Sequence, residues 1–366
     1  MLTKADDYPI HQSPEPIAYA GTDRNFYDRY FFNGMHATDD VFFACAMGQY
    51  PNLNVLDAAF CVIHEGKQHS VFASRELGME RMEMDVSPIA VEILEPLVSH
   101  RITVASNESG LEAELIFRKR TIAVEEPRFT YRIGPRTILD YTRLTQFGTW
   151  EGWIKIGDTR IEVTQDTFNG VRDRSWGIRP VGKSDPQPVA PPQEPQYYWL
   201  WAPLNFDDGC TLFHVNQDGA GADWARSAQW VPLDPEPNQH CDDGRYELSY
   251  QSGTRHAKSA ELTFIDGTGT STIKLTPRFK FFMRGVGYMH PTRNHGTYHG
   301  KHSVFHEVLD LATIDEAEFH HTHIQAIVDA EMTGARGTRK GRGLLEQLIL
   351  GRHDPSGFTG LAGVAK

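Results

Sequence analysis

Seventeen histidines run along the 366 residues, and many of them fall late in the chain. The segment Tyr288-Met-His-Pro-Thr-Arg-Asn-His-Gly-Thr-Tyr-His-Gly300 gathers Tyr288, His290, His295 and His299, with His302 and His306 just beyond. A neutral imidazole can take or deliver a proton near neutral pH, and it can also ligate a metal. These spacings suit neither one helix face nor a zinc knuckle. Proton transfer or substrate contact is therefore the functional reading, and backbone hydrogen bonding by loop histidines is the plain alternative. His320-His-Thr-His323 reads as a solvated strand face on which His321 and His323 point the same way.

A second concentration is Asn169-Gly-Val-Arg-Asp-Arg-Ser-Trp-Gly-Ile-Arg-Pro180, which holds Arg172, Asp173, Arg174, Trp176 and Arg179. An ordinary half-buried strand alternates apolar with polar residues; this one packs charge beside an aromatic. It is either a satisfied structural corner or the wall of a site. A third is Tyr197-Tyr-Trp-Leu-Trp201, aromatic on both faces and so a central strand. Tyr198 faces one way and Trp201 the other, and either set can line a ligand cavity or simply pack a core. No His-Glu-x-x-His, Gly-x-Ser-x-Gly, Walker or dinucleotide-binding motif occurs. Nothing in the chain supports nucleotide-dependent chemistry.

The elements that would position these residues read as strands. Short β-type runs bounded by Gly, Pro, Asn and Asp recur from Asn25 to Ile133, and Phe147–Ile156 turns back through Gly157-Asp158. Trp150 falls in that hairpin. Repeated short strands with few helical patterns point to sandwiches or barrels. Val181–Pro195 contains five prolines and cannot be a central strand, so it marks a linker. Strand-like runs resume at Gln196 and continue to Ala330. Thr338–Leu350, with Leu344, Leu345, Leu348 and Ile349 before Gly351, reads as a helix with a glycine cap. The expected domains are residues 1–186, with 1–25 a surface arm; 187–335; and 336–366, a helix and flexible tail.

Composition bounds the rest. Hydrophobic residues make up 40% and aromatics 11%, which is globular and sheet-like. A formal charge of −12 argues against nucleic-acid binding, which needs a basic face. The four cysteines, Cys45, Cys61, Cys210 and Cys241, show neither disulfide nor metal spacing. No apolar run is long enough for a membrane span and no secretory leader is evident. A cytoplasmic protein is expected, with a homodimer an admissible assembly.

Three segments, in order, carry a family resemblance: Asp140-Tyr-Thr-Arg-Leu-Thr-Gln-Phe-Gly148, Asp173-Arg-Ser-Trp-Gly177, and Gly287-Tyr-Met-His-Pro291 with His295-Gly296. Together they resemble the carotenoid hydratase (hydroxyneurosporene synthase) and AttH-like superfamily of lipocalin-like proteins. The resemblance implies two antiparallel lipocalin-like β-barrel or sandwich domains over about residues 25–330. The hydratase motif reads Asp-His-x-Trp-Gly, and its histidine is taken as catalytic; here that position is Arg174. The expected function is thus a cofactor-independent, metal-free lyase, hydratase/dehydratase or isomerase acting on a bulky apolar or aromatic molecule where two barrels meet. Asp173, Arg172, Arg174, Tyr288, His290 and His295 are the catalytic candidates. Trp176, Tyr198, Trp201, His299 and Trp150 are the substrate-binding candidates. A non-catalytic carrier of a hydrophobic ligand, and a metal enzyme using the late histidines, are the rivals.

Overall fold

The computed structural model describes residues 3–10, 16–184, 187, 190, 194–361 and 363–365. The chain is all-β, in two sheets, one curled into a nearly closed barrel and the other into a half-barrel. It divides into two compact units: Met1–Gln187 with Gly285–Ala312, and Pro188–Arg284 with Thr313–Lys366. The segment Gly285–Ala312 therefore packs with the first unit, whereas the sequence places it in the second domain. Much of the linker, at residues 185, 186, 188, 189 and 191–193, lies outside the described residues.

The first unit opens with β1 (Phe26–His36), β2 (Phe42–Tyr50), β3 (Val55–His64) and β4 (Lys67–Glu76). Then come β5 (Asp85–Val86), β6 (Ile89–Glu95), β7 (Ser99–Val104), β8 (Leu111–Lys119), β9 (Val124–Glu125) and β10 (Phe129–Ile133). The long β11 (Arg136–Ile156), β12 (Thr159–Val163) and β13 (Phe168–Ile178) follow. The second unit holds β14 (Tyr197–Phe206), β15 (Gly209–Gln217), β16 (Asp223–Pro232), β17 (Gln239–His240), β18 (Asp243–Tyr250), β19 (Ala257–Asp266) and β20 (Gly269–Phe282). β21 (His302–Asp310) belongs to the first sheet, and β22 (Ile324–Gly334) and β23 (Arg339–Leu350) to the second. The first sheet runs β21-β4-β3-β2-β1-β13-β11-β8-β7-β6-β5, and the second runs β17-β16-β15-β14-β23-β22-β20-β19-β18.

β1, β2 and β3 are buried almost throughout. Both of their faces are covered, so even Asp28, Arg29 and Asn33 of β1 are buried. One face carries the core, with Phe32, Phe43, Phe60, Phe117 and Trp150 packed together. β21, by contrast, alternates exposed with half-buried residues, as an edge strand wetted on one face does.

Two sequence expectations fail here for physical reasons. Thr338–Leu350 is not a helix but β23, hydrogen-bonded between β14 and β22. Leucines at mixed spacing fit a helix stripe and a two-sided strand equally. Gly341 and Gly343 break the tie, since a Cβ on either would collide with the carbonyl of Asn205 or Pro203 in the neighbouring strand. The tail beyond it is tied down: Arg255 donates to the carbonyls of Gly351, Gly360 and Gly363, and Phe358 is buried against Tyr250. Among the described residues no helix is long and apolar enough to cross a membrane.

The surface arm is also revised. Its residues Lys4–Asp7 form a single 3-10 turn that delivers Asp7, fully buried, to the first sheet. Asp7 Oδ1 meets Arg172 Nη1 at 2.9 Å, Oδ2 lies 2.9 Å from His100 Nε2, and the Tyr30 hydroxyl donates to the Asp7 carbonyl at 2.6 Å. Arg172 in turn donates to Gln146 at 2.9 Å. Beside it, Asp28 binds both Arg174 and Arg81, and Arg174 also donates to the Tyr8 carbonyl at 2.7 Å. Despite the desolvation that opposes it, Arg172 and His100 hold the Asp7 carboxyl well below the usual carboxylate range. Burial, reinforced by Arg172, pushes His100 down from 6.5 to about 4.

Removing one partner of a buried pair strands the other. Asp7→Asn is therefore expected to destabilise by about 3–5 kcal/mol in denaturant titrations. The pH signature follows from His100. It is neutral when folded but protonates near 6.5 when unfolded, so its stabilisation is complete above that pH and is lost as the pH falls toward 4. The stability gap between wild type and His100→Gln should narrow by about 3 kcal/mol between pH 7 and 4.

Candidate functional site

The strand registers place one row of side chains across the face of the first sheet opposite its core. Ser303 on β21 faces Ser74 on β4, which faces Asp57 on β3. Asp57 faces Gly48 on β2, and Gly48 faces Arg29 on β1. The row continues through Ser175 on β13 to Arg143 on β11, where Glu126 holds Arg143 in a two-pronged pair at 2.8 and 2.7 Å.

The centre of the row is a bridge over a missing side chain. Tyr50, two residues after Gly48, lays its hydroxyl across the gap. Arg29 Nη1 donates to that hydroxyl at 2.8 Å, and the hydroxyl donates to Asp57 Oδ1 at 3.3 Å. Arg29 and Asp57 themselves approach to 3.9 Å. A Cβ at position 48 would run into the Tyr50 hydroxyl, so only glycine lets the bridge form.

The same ion pair holds the histidine-bearing loop. Arg29 Nη2 donates to the Val286 carbonyl at 2.9 Å, and Gly296 N donates to Asp57 Oδ2 at 2.5 Å. Between these ties, Tyr288 lies 4.8 Å from the Arg29 guanidinium and accepts from Arg179 Nη2 at 3.3 Å. Its ring is 4.9 Å from that of His295. His295 Nδ1 is 3.0 Å from the Gly287 carbonyl. A carbonyl can only accept, so Nδ1 carries the proton and the lone pair of the neutral ring sits on Nε2.

The loop and the row flank a small cleft of ≈ 20 Å³, partly open to solvent, lined by Asp57, Phe72, Ser74, Arg293, His295 and His299 among others. The Asp57 side chain is 17% exposed. Desolvation raises its carboxyl above the usual value, against the pull of Arg29, the Gly296 amide and Tyr50. Arg29 is raised even though its burial opposes this, because Tyr50, Tyr288 and Asp57 favour its charge. His299 is lowered by burial and then by Arg293 and Lys183.

Of the sequence candidates, the structure brings His295 and His299 to this cleft, with Tyr288 packed behind His295 rather than lining it. His290 is buried, and its Nδ1 accepts from the backbone amides of Thr292 and Arg293 at 3.1 and 2.8 Å. Its Nε2 lies 3.6 Å from Glu307, so the ring folds the loop. Alternation along β13 sends Arg172 and Arg174 to the opposite face from Asp173, onto Asp7 and Asp28, with no exposed surface. Trp176 lies on the face of Arg174, whose guanidinium is 5.7 Å from its ring. Trp150 is core, donating to the Asn33 carbonyl at 2.8 Å.

Tyr198 and Trp201 belong to the second unit, where Tyr198 stacks on His353 at 3.9 Å. His321 and His323 are buried rather than solvated, His321 in a 3-10 turn and His323 2.9 Å from Glu346. Among the described residues no group of three or more His, Cys, Asp or Glu is placed to hold a metal ion. Sequence reasoning misses Asp57, Arg29 and Tyr50. Asp57 is the lone charge in the apolar run Val55–Ile63, and that is the available signal.

A family model described as a family of unknown function (DUF8625) matches residues 2–359. No curated protein matches the sequence. Among solved structures, an AttH-type protein from Nitrosomonas europaea aligns with TM-score 0.53 at 11% identity, over 90% of this chain and 94% of that one. Kievitone hydratase from Nectria haematococca aligns with TM-score 0.50 at 11% identity, over 94% and 98%. CghA with Sch210972 aligns with TM-score 0.53 at 12% identity, over 94% and 96%. At these identities the likeness is one of fold, and it is the fold implied by the AttH-like and hydratase resemblance.

Gly48→Ala is expected to displace Tyr50, cost about 1–3 kcal/mol by overpacking, and loosen the loop. Hydrogen exchange at the Gly296 amide, which should speed up in the variant, checks this.

Proposed function

The chain belongs to a family of unknown function (DUF8625), and we propose that it is a proton-transfer enzyme, of hydratase/dehydratase, isomerase or lyase type, acting on a bulky, largely apolar or aromatic small molecule. The observation that carries this reading is the pairing of a raised carboxyl, Asp57, with a tautomer-fixed imidazole, His295, on one cleft. Two proton carriers with different environments are what acid/base catalysis needs: one removes a proton while the other returns it. Asp57 acts as base, because both its oxygens already accept hydrogen bonds that favour the carboxylate, and its raised pKa makes it a stronger base than a surface aspartate. His295, its Nδ1–H held on the Gly287 carbonyl, enters the cycle with Nε2 protonated and gives that proton to the substrate as Asp57 removes one. Solvent at the open side of the cleft then takes the proton from Asp57 and restores the one on Nε2. Tyr288, close to two guanidiniums, orients the imidazole. Phe72 and Val286 provide the apolar wall.

This site lies within the first unit. It also replaces the arginines of β13 as the seat of chemistry, since their charge is already matched by Asp7 and Asp28 and offers nothing to a developing anion. Kievitone hydratase has this fold, and its name supports a hydratase-type reaction. Arg174, bound to Asp28, leaves no imidazole at the position the carotenoid hydratase motif uses.

Turnover of α,β-unsaturated ketones and their hydrates in D2O, read by proton NMR for deuterium incorporation, tests the reading. Asp57→Asn and His295→Gln are each expected to lower kcat by about 10²–10⁴. Asp57→Asn also strands Arg29 and lowers the melting temperature, so kcat is compared well below both melting transitions. Exchange at wild-type rate in both variants rules the assignment out. Because Asp57 works deprotonated, activity falls as pH drops through its raised pKa, so the acid limb of kcat/KM lies above 3.8. Tyr50→Phe removes a hydrogen bond that favours the carboxylate and should move that limb to higher pH.

A further inference from the structure

From the far end of the row we infer that the cleft holds an anion subsite, built on Arg293 with Ser74, Ser303 and His299, and that its ligand is an organic acid whose carboxylate docks there. The inference rests on the proton-transfer reading of the same cleft and names the substrate class that reading leaves open.

Arg293 is a cation without a counter-charge. Its Nη1 donates to Ser303 Oγ at 3.0 Å, and its guanidinium stacks 4.7 Å from the Phe305 ring. Its Nε is buried with no hydrogen-bond partner among the described residues, and no carboxylate there pairs with it. Of the other arginines described above, Arg172 meets Asp7, Arg174 and Arg81 meet Asp28, Arg143 meets Glu126 and Arg29 meets Asp57. Arg255 donates to backbone carbonyls and Arg179 to Tyr288, and neither of these two lines the cleft. A half-buried guanidinium left with an open edge in a cleft costs desolvation unless an anion completes it.

The independent observation is Ser74. It is 6% exposed, lines the cleft, and its hydroxyl has no hydrogen-bond partner among the described residues. Ser74 stands directly opposite Ser303 in the β4–β21 register, next to the hydroxyl that Arg293 already engages. His299 Nε2, buried on the same wall, likewise has no partner among the described residues. A planar fork held flat by an aromatic ring, with hydroxyls beside it, matches the two coplanar oxygens of a carboxylate. A phosphate would call for more than one cation.

Asp57 lines the same cleft, but its charge is met by Arg29, and Gly296 and Tyr50 donate to it. The positive field is visible at His299, where Arg293, Lys183 and His290 all disfavour protonation. With its carboxylate on Arg293, the acid would lay its apolar body across Phe72 at the open mouth of the cleft that Asp57 also lines.

Isothermal titration of the full chain with benzoate and 3-phenylpropanoate, against benzamide and 3-phenylpropanamide, tests the subsite. Wild type should bind the acids about tenfold or more tighter than the amides. Arg293→Gln should abolish that preference and Arg293→Lys should restore part of it, while Ser74→Ala weakens the acids only. Equal affinity for acid and amide overturns the inference. So does a preference that survives in Arg293→Gln, or inorganic phosphate displacing benzoate at lower concentration than benzoate itself binds. Acid selectivity requires no turnover. If it holds while Asp57→Asn keeps full deuterium exchange, the catalytic reading falls and the subsite stands. If selectivity is absent while exchange still depends on Asp57, the subsite falls and the catalytic reading stands.

Discussion

Much of the first unit hangs on the contact between Arg29, the Tyr50 hydroxyl and Asp57. A guanidinium buried at 2% exposure is stable only when its charge and its donors are met. Here one carboxylate meets the charge and one phenol takes Nη1 across a glycine, while Nε has no hydrogen-bond partner among the described residues. The two partners then use their remaining bonds on the loop, Arg29 on the Val286 carbonyl and Asp57 on the Gly296 amide. The electrostatic need of one strand thereby positions the imidazole of another segment. The cleft exists because the loop is held off the sheet by these ties at both ends.

β1 and β13 serve two polar systems at once, one on each face. Neighbouring residues Asp28 and Arg29 point apart, Asp28 toward Arg174 and Arg81, and Arg29 toward Tyr50 and Asp57. The period of two that defines a strand keeps the charge clusters separate although their backbones are adjacent. One cluster is sealed from solvent, with Asp7 and Asp28 each holding an arginine of β13, which suits a structural clasp. The other is half-open and contains a raised acid, which suits chemistry.

The architecture is legible in the sequence because short β-branched and aromatic runs between turn residues have few other solutions. The family resemblance carries the two-domain form further than periodicity can. What misleads is local chemistry judged without its partner. Arg172 and Arg174 look reactive because Asp7, far away in sequence, cannot be seen to neutralise them. Leu344–Ile349 looks helical because a strand covered on both faces has lost the alternation that identifies strands. Asp57 escapes notice for the opposite reason: a single acid in an apolar run is inconspicuous until the register sets it beside Arg29. The late histidines do gather in space, but only hydrogen-bond direction separates His290, which folds the loop, from His295, which faces the cleft.

The order of the chain has a consequence for biosynthesis. β21 and the loop before it join a sheet whose other strands are all made before residue 180. During translation the first unit must therefore wait, with the outer edge of β4 unpaired and the Arg29–Asp57 pair uncovered, while about a hundred residues of the second unit emerge. An open strand edge invites wrong partners. The apolar outer face around Ala59 and Phe72 is shielded only late, so the nascent protein is most aggregation-prone when more than half of it has already been synthesised.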